Sequence, residues 1–180
     1  MKVAYGNLKG KKIIVGKNLN MRPTEARAKS VIFNTLKIDE KDEVIDIFAG
    51  TGLLGFESIS AGAKKVYFAD NNLESYRAIK KNINDLNLNK NYYKVFFTDF
   101  RRFLKNLDFK PTIIFLDPPF VAKNYYDESL RIIKENNILS GEGIIVLEKL
   151  YKDKIKNIDL FFVFKIKKLG EREIYFLKNK

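Results

Sequence analysis

The sequence predicts an α/β fold: a seven-stranded, mostly parallel sheet that ends in an antiparallel C-terminal hairpin, preceded by a short N-terminal β-hairpin and a helix. Three observations predict it. From Val44 to Glu148, short apolar runs alternate with amphipathic helical stretches, the pattern of β/α units around a parallel sheet. The run Thr112 to Leu116 contains no turn-former and reads as a strand buried on both faces, hence a central one. Beyond Glu148 the alternation stops, and Leu160–Ile166 and Glu173–Leu177 read as two strands joined by a turn at Leu169-Gly170-Glu171.

Leu8 to Val15 has the pattern of a short hairpin with a basic turn, and 16–21 reads as loop. Arg22-Pro23-Thr24 opens a helix, with Thr24 as N-cap and Glu25 in the first turn. Its apolar stripe is Ala28, Val31, Ile32, Thr35 and Leu36, which leaves Arg27 and Lys29 outside. Val44–Phe48 is the first strand of the alternating region, followed by a glycine-rich turn and a helix to about Ala61. Lys65–Ala69 is the next strand, ending at Asp70. Leu73–Leu86 is a helix with Tyr76, Ile79, Ile83 and Leu86 on its apolar side. Tyr93–Thr98 is a strand ending at Asp99-Phe100, and a helix continues through Leu104. After the central strand, a helix from about Tyr126 to Asn136 leads to the strand Ile144–Glu148.

With 180 residues, 46% of them hydrophobic, the chain is expected to form one domain: an N-terminal extension (1–40) on a catalytic core (41–180). It has no Cys, His or Trp, which excludes disulfides, thiolate nucleophiles, Ser-His dyads and the usual zinc sites. The longest apolar runs are far below the roughly 18 residues of a membrane span. The first residues lack the apolar segment of a secretory signal, so a cytoplasmic location is expected. The net charge of +12 attracts polyanions, which makes nucleic acid the leading partner class. Lys9, Lys11, Lys12, Lys17, Arg22, Arg27 and Lys29 make the N-terminal arm a phosphate-gripping surface, unless they are only a solvated face.

Asp117-Pro118-Pro119-Phe120 leaves the central strand at its carboxyl end, where open α/β sheets bind ligands. The two prolines fix φ and remove two amide donors, so a carboxylate, a carbonyl and an aromatic ring are held on a stiff turn. That set suits a planar base carrying an NH2. Asp117 and the Pro118 carbonyl each accept one amino hydrogen, and Phe120 stacks on the ring. Gly50, Gly52 and Gly55 form a G-x-G-x-x-G between a strand and a helix, a pattern that fits NAD, FAD and S-adenosylmethionine alike. Asp70, about 20 residues beyond Gly50, is placed to accept ribose hydroxyls; capping the next helix is its other reading. Asp99 with the Phe100 amide can hold an adenine, or Asp99 can cap its helix.

Asp46-Ile-Phe-Ala-Gly-Thr-Gly-Leu-Leu-Gly-Phe-Glu57, Gly62 to Asp70 and Asp117-Pro-Pro-Phe120 resemble the bacterial RsmD family. Gly10-Lys-Lys, Arg22-Pro-Thr24, Phe33-Asn34 and Gly170-Glu-Arg-Glu-Ile-Tyr-Phe176 share the likeness, which covers nearly the whole chain. The resemblance implies the Rossmann-like class I methyltransferase fold and methyl transfer from S-adenosylmethionine to the N2 amine of a guanine in 16S rRNA. It places Asp46, Phe48, Ala49, Gly50, Thr51 and Gly52 around the methionine part of the cofactor and Asp70 at the ribose, with Asn71 also among the cofactor-binding residues. Asp99 and Phe100 fall at the adenine, Asp117, Pro118, Pro119 and Phe120 form the catalytic loop, and Asp117 also counts among the cofactor-binding residues. Lys9, Lys11, Lys12, Arg22 and Arg27 would face RNA. The expected partner is 16S rRNA within a small-subunit ribosomal particle, with the protein acting as a monomer. Asn72 stands where the family commonly carries an acidic residue, and Ala26 interrupts the polar N-terminal motif. A DNA adenine-N6 methyltransferase shares the acidic-Pro-Pro-aromatic turn, but the chain has no spare length for a target-recognition region. A non-catalytic RNA-binding module on the same fold is the other alternative.

Overall fold

The computed structural model describes residues 1–14, 23–119, 122 and 124–180, with the backbone alone for residues 23–26. Its centre is one seven-stranded sheet: β1 (Glu43–Ile47), β2 (Lys65–Asp70), β3 (Tyr93–Phe97), β4 (Ile113–Leu116), β5 (Ile144–Leu150), β6 (Phe161–Leu169) and β7 (Arg172–Asn179). Across the sheet the order is β3-β2-β1-β4-β5-β7-β6. β1 to β5 are parallel, and β7 inserts antiparallel between β5 and β6. All four residues of β4 are buried, as expected of a strand at the middle of a covered sheet.

Among the described residues five α-helices cover the two faces: α1 (Pro23–Thr35), α2 (Leu53–Ala61), α3 (Leu73–Asp85), α4 (Phe100–Lys105) and α5 (Asn124–Glu135). Ala28, Ile32, Phe56 and Ile79 of α1 to α3 pack with Val44, Phe68, Phe115 and Phe176 on one face. Phe103, Leu104, Leu130 and Ile133 of α4 and α5 pack with Ile45, Tyr67, Ile114 and Leu177 on the other. Side chains alternate across each strand, which is why one strand feeds both cores. No helix among the described residues is long and apolar enough to cross a membrane.

The N-terminal arm differs from expectation in its register. The antiparallel pairing joins Met1–Val3 to Lys11–Ile13 around a 3-10 turn at Gly6–Leu8, so the hairpin starts well before Leu8. Val15, Lys17 and Arg22 lie outside the described residues. Pro23 is the first residue of α1, with Thr24 inside the helix rather than at its cap; proline suits this position because its missing N–H would have no intrahelical partner.

Polar side chains of α2 and α3 hold the arm. Glu57, wholly buried, accepts the Ala4 and Tyr5 N–H groups at 2.7 and 3.1 Å. Ser60 accepts the Leu8 N–H at 2.7 Å, and buried Asn82 bonds both the N–H and the carbonyl of Ile14 at 2.7 and 3.0 Å. Lys29 is buried, not exposed: its ammonium lies 2.7 Å from Glu57 and 2.9 Å from the Lys2 carbonyl. A carboxylate inside the face demands a cation, so Lys29 leaves the set of solvent-facing charges.

Candidate active site

β1 and β4 are neighbours with Ile47 opposite Leu116, and the sheet grows in opposite directions from this pair. That is a topological switch point, where the turns leaving two adjacent strands diverge and open a crevice. Two turns flank it: 48–52 after β1, and the one that starts at Asp117 after β4.

The first turn is tightly wound. Phe48, Gly50 and Gly52 have φ of +63, +54 and +75°. Glycine takes such angles without steric cost; Phe48, which carries a Cβ, does not. The strained residue is fixed by its ring, which packs on Phe100 at 5.0 Å and on Tyr125 at 5.8 Å between centroids. Ala49 N–H reaches the Ala69 carbonyl at 3.1 Å and Gly52 N–H the Ala49 carbonyl at 2.7 Å. Thr51 accepts the Leu53 N–H at 3.3 Å at the start of α2.

Two carboxylates brace this turn. Asp46, buried, accepts the Gly55 N–H at 2.9 Å. Burial pushes its carboxyl up to about 8; the Gly55 hydrogen bond opposes the rise and the nearby Asp70 charge adds to it. Asp70 accepts the Gly50 N–H at 2.7 Å through one oxygen and the Asn72 N–H at 2.8 Å through the other. The cap of α3 is Asn72, whose side chain accepts the Glu74 and Ser75 N–H groups, so the helix-cap reading of Asp70 does not hold. Asn71 is exposed beside it.

Asp99 caps α4 through the Arg101 N–H at 2.8 Å. Its other oxygen receives the Arg101 guanidinium at 3.0 Å, and the same guanidinium grips Glu128 of α5 with two bonds of 2.6 Å. The Phe100 ring is buried between Phe48 and Tyr125. Of this residue only the backbone is open to the adenine role expected for it.

In the second turn Asp117 and Pro119 are exposed and Pro118 is buried. The Pro119 carbonyl accepts the Ala122 N–H at 2.8 Å. Phe120 lies outside the described residues. Tyr126, behind the turn, is fully buried and donates to the Glu148 carbonyl at 2.7 Å. Burial first, and then the charges of Asp117, Glu148 and Asp153, push its phenol well above the ordinary range. Glu148 is itself ion-paired with Arg172 of β7, both buried, and Lys149 with Glu173 at 2.9 Å.

The structure therefore brings Asp46, Phe48 to Gly52, Asp70, Asp99, Phe100 and Asp117 to one end of the sheet. Lys9, Lys11, Lys12 and Arg27 are exposed on the N-terminal extension. Sequence reasoning missed Arg101, Tyr125, Tyr126, Glu128, Glu148 and Arg172. A usable signal existed for the last two: Glu148-Lys149 and Arg172-Glu173 are adjacent opposite charges on otherwise largely apolar strands, and charges there ask for partners on the neighbouring strand.

The family model for Conserved hypothetical protein 95 matches residues 1–178. Ribosomal RNA small subunit methyltransferase D of Haemophilus influenzae is 34% identical over 151 residues, 82% of this chain and 78% of that protein. The solved structure of the Haemophilus influenzae protein HI0767 superposes with a TM-score of 0.83 at 27% identity, covering 99% of this chain and 97% of that one. SMU.776, solved in complex with SAH, shares the fold at a TM-score of 0.72 and 14% identity, over 95% of this chain and 52% of its own.

Proposed function

The chain belongs to the Conserved hypothetical protein 95 family, and from that premise we propose that it is an rRNA methyltransferase. It transfers the methyl group of S-adenosylmethionine to the exocyclic N2 of a guanine in 16S rRNA, within a small-subunit ribosomal particle. The observation that carries the reading is the pairing of β1 with β4, which sets the glycine turn and the Asp117 turn side by side at the switch point.

The residues present fit the donor. Each Asp70 oxygen has one backbone partner and retains a lone pair for a ribose hydroxyl. The positive φ angles at Phe48, Gly50 and Gly52 wind the turn so that a ligand can approach its backbone closely. Asp46 and residues 48–52 would hold the methionine part, Asp70 and Asn71 the ribose, Asp99 and the Phe100 backbone the adenine. Bound there, S-adenosylmethionine supplies an electrophilic methyl on a sulfonium leaving group.

The protein's own task is to make a poor nucleophile presentable. The guanine N2 lone pair is delocalised into the ring until its two N–H groups are held out of that geometry. Asp117 and the Pro118 carbonyl are the acceptors that hold them, Phe120 is the stacking ring, and alignment contributes most of the rate. A base inside helical RNA cannot reach such a turn, so the target guanine is looped or flipped out. Lys9, Lys11, Lys12 and Arg27 give salt-dependent affinity for phosphates without reading sequence.

The test incubates the protein with methyl-labelled S-adenosylmethionine and, separately, unmethylated small subunits, free 16S rRNA and duplex DNA, and then maps the labelled base. Label on a guanine N2 of the rRNA is the expected result. Label on DNA adenine would replace this reading with the adenine-N6 alternative.

A further inference from the structure

Past Asp117 the catalytic end of the sheet continues along β5 to Tyr151. Among the described residues Tyr151 is the most exposed large hydrophobic side chain, at 66%. Its N–H donates to the Glu171 carbonyl at 2.7 Å, which pins it to the turn between β6 and β7. Lys168 lies over its ring, 5.6 Å from the centroid. Together Leu150, Tyr151, Lys152, Gly170 and Glu171 line a cavity of about 230 Å³, separate from the glycine turn.

Register places this cavity relative to the chemistry. Leu116 pairs with Leu147, so Glu148 flanks Asp117 and Tyr151 is three residues farther along. At about 3.3 Å per residue and about 4.8 Å between strands, the Tyr151 backbone lies roughly 11 Å from that of Asp117. Charge points the same way. Residues 149–180 hold ten Lys or Arg against four Asp or Glu, half of the chain's net +12. Lys149 and Arg172 are spent in buried ion pairs, but Lys152, Lys154, Lys167 and Lys168 are exposed. Lysines on an edge strand also guard against edge-to-edge association, which accounts for β6 alone. It does not account for an exposed aromatic ring beside a cavity at the end of β5. A ring flanked by ammonium groups is how proteins hold unpaired nucleotides. The Glu171 carboxylate repels phosphate, so what suits the cavity is a base edge bearing N–H groups, with the phosphates outside on the lysines.

We propose that Tyr151, with Lys152, Lys168 and Glu171, forms a second base subsite for an unpaired rRNA nucleotide adjoining the methylated guanine. It rests on the rRNA methyltransferase reading above. The test compares wild type, Tyr151→Ala and Tyr151→Trp in methyl transfer to small subunits and in equilibrium binding of a single-stranded rRNA fragment carrying the target. Tyr151→Ala is expected to raise KM and the RNA Kd roughly 5- to 100-fold. Its kcat, cofactor Kd and unfolding midpoint stay near wild type, and Tyr151→Trp restores binding. Lys152→Ala and Lys168→Ala each lower the slope of log affinity against log salt by about 1. A wild-type KM in Tyr151→Ala overturns the subsite and leaves the methyltransferase reading standing. Loss of cofactor binding or of folding in that variant assigns Tyr151 a structural role and also overturns it. A wild-type protein that methylates no rRNA overturns both.

Discussion

Lys29 and Glu57 form an ion pair of 2.7 Å with both side chains almost wholly shielded from water. The same carboxylate takes the Ala4 and Tyr5 N–H groups, so one buried charge fastens α1 and the first residues of the chain to α2. The first residues of the chain are thereby fastened to the helical face that covers the sheet.

Removing one partner of such a pair leaves the other charged and buried, at a cost of about 3–5 kcal/mol. Glu57→Ala is expected to lower the unfolding free energy by about that amount in urea titration. Glu57→Leu combined with Lys29→Met should recover part of the loss, because no buried charge is then left alone, while the Ala4 and Tyr5 N–H groups still lack their acceptor. Equal stability of wild type and Glu57→Ala would mean that the pair is solvated.

Asp46 gives a pH signature. Its carboxyl titrates near 3.8 when unfolded and near 8 when folded. Between those values the folded chain binds a proton that the unfolded chain has released. The stability from this group is therefore complete below about pH 4 and is lost as pH rises through about 8. Asp46→Asn cannot ionise. Its stability relative to wild type is expected to grow by about 1.4 kcal/mol per pH unit across that window, measured by urea denaturation at pH 5, 6, 7 and 8.

The third glycine of the motif serves packing. A Cβ on Gly55 would stand 2.1 Å from the ring of Phe68, which is fully buried and has nowhere to move. Gly55→Ala should cost about 1–3 kcal/mol, visible as a lowered unfolding midpoint, and Phe68→Leu in the same chain should relieve part of it.

The parallel strands were legible because their runs are apolar on both faces, as in Ile113–Leu116, and the turn residues between them are glycines and acids of recognisable use. That the candidate residues lie together was legible to the same extent: Asp46, Gly50, Asp70 and Asp117 are near or just past the carboxyl ends of parallel strands, and those ends share one edge of the sheet by topology. Contacts between distant segments were not legible. Glu57 and Asn82 look like surface residues on their helices, and nothing local says that the N-terminal arm covers them. Lys29 reads as one more exposed cation for the same reason. The ring of Phe100 gives no local sign that it stacks with Phe48 and Tyr125, a contact that leaves its amide as the group expected at an adenine.

Lys9, Lys11 and Lys12 are exposed on one short stretch of the extension. Each is expected to contribute about 1 to the slope of log affinity against log salt for 16S rRNA. The triple alanine variant should bind rRNA more weakly with a slope reduced by about 3, and its cofactor affinity should be unchanged. An unaltered salt dependence would show that the extension faces away from RNA.

The role given to the Asp117 turn is tested most directly by Asp117→Ala, assayed for methyl transfer to 16S rRNA and, in the same preparation, for S-adenosylmethionine affinity by calorimetry. The expected result is a loss of transfer of at least about 100-fold with the cofactor Kd within about threefold of wild type. Retained transfer, or a cofactor affinity that collapses together with it, would contradict the assignment of Asp117 to the guanine amine.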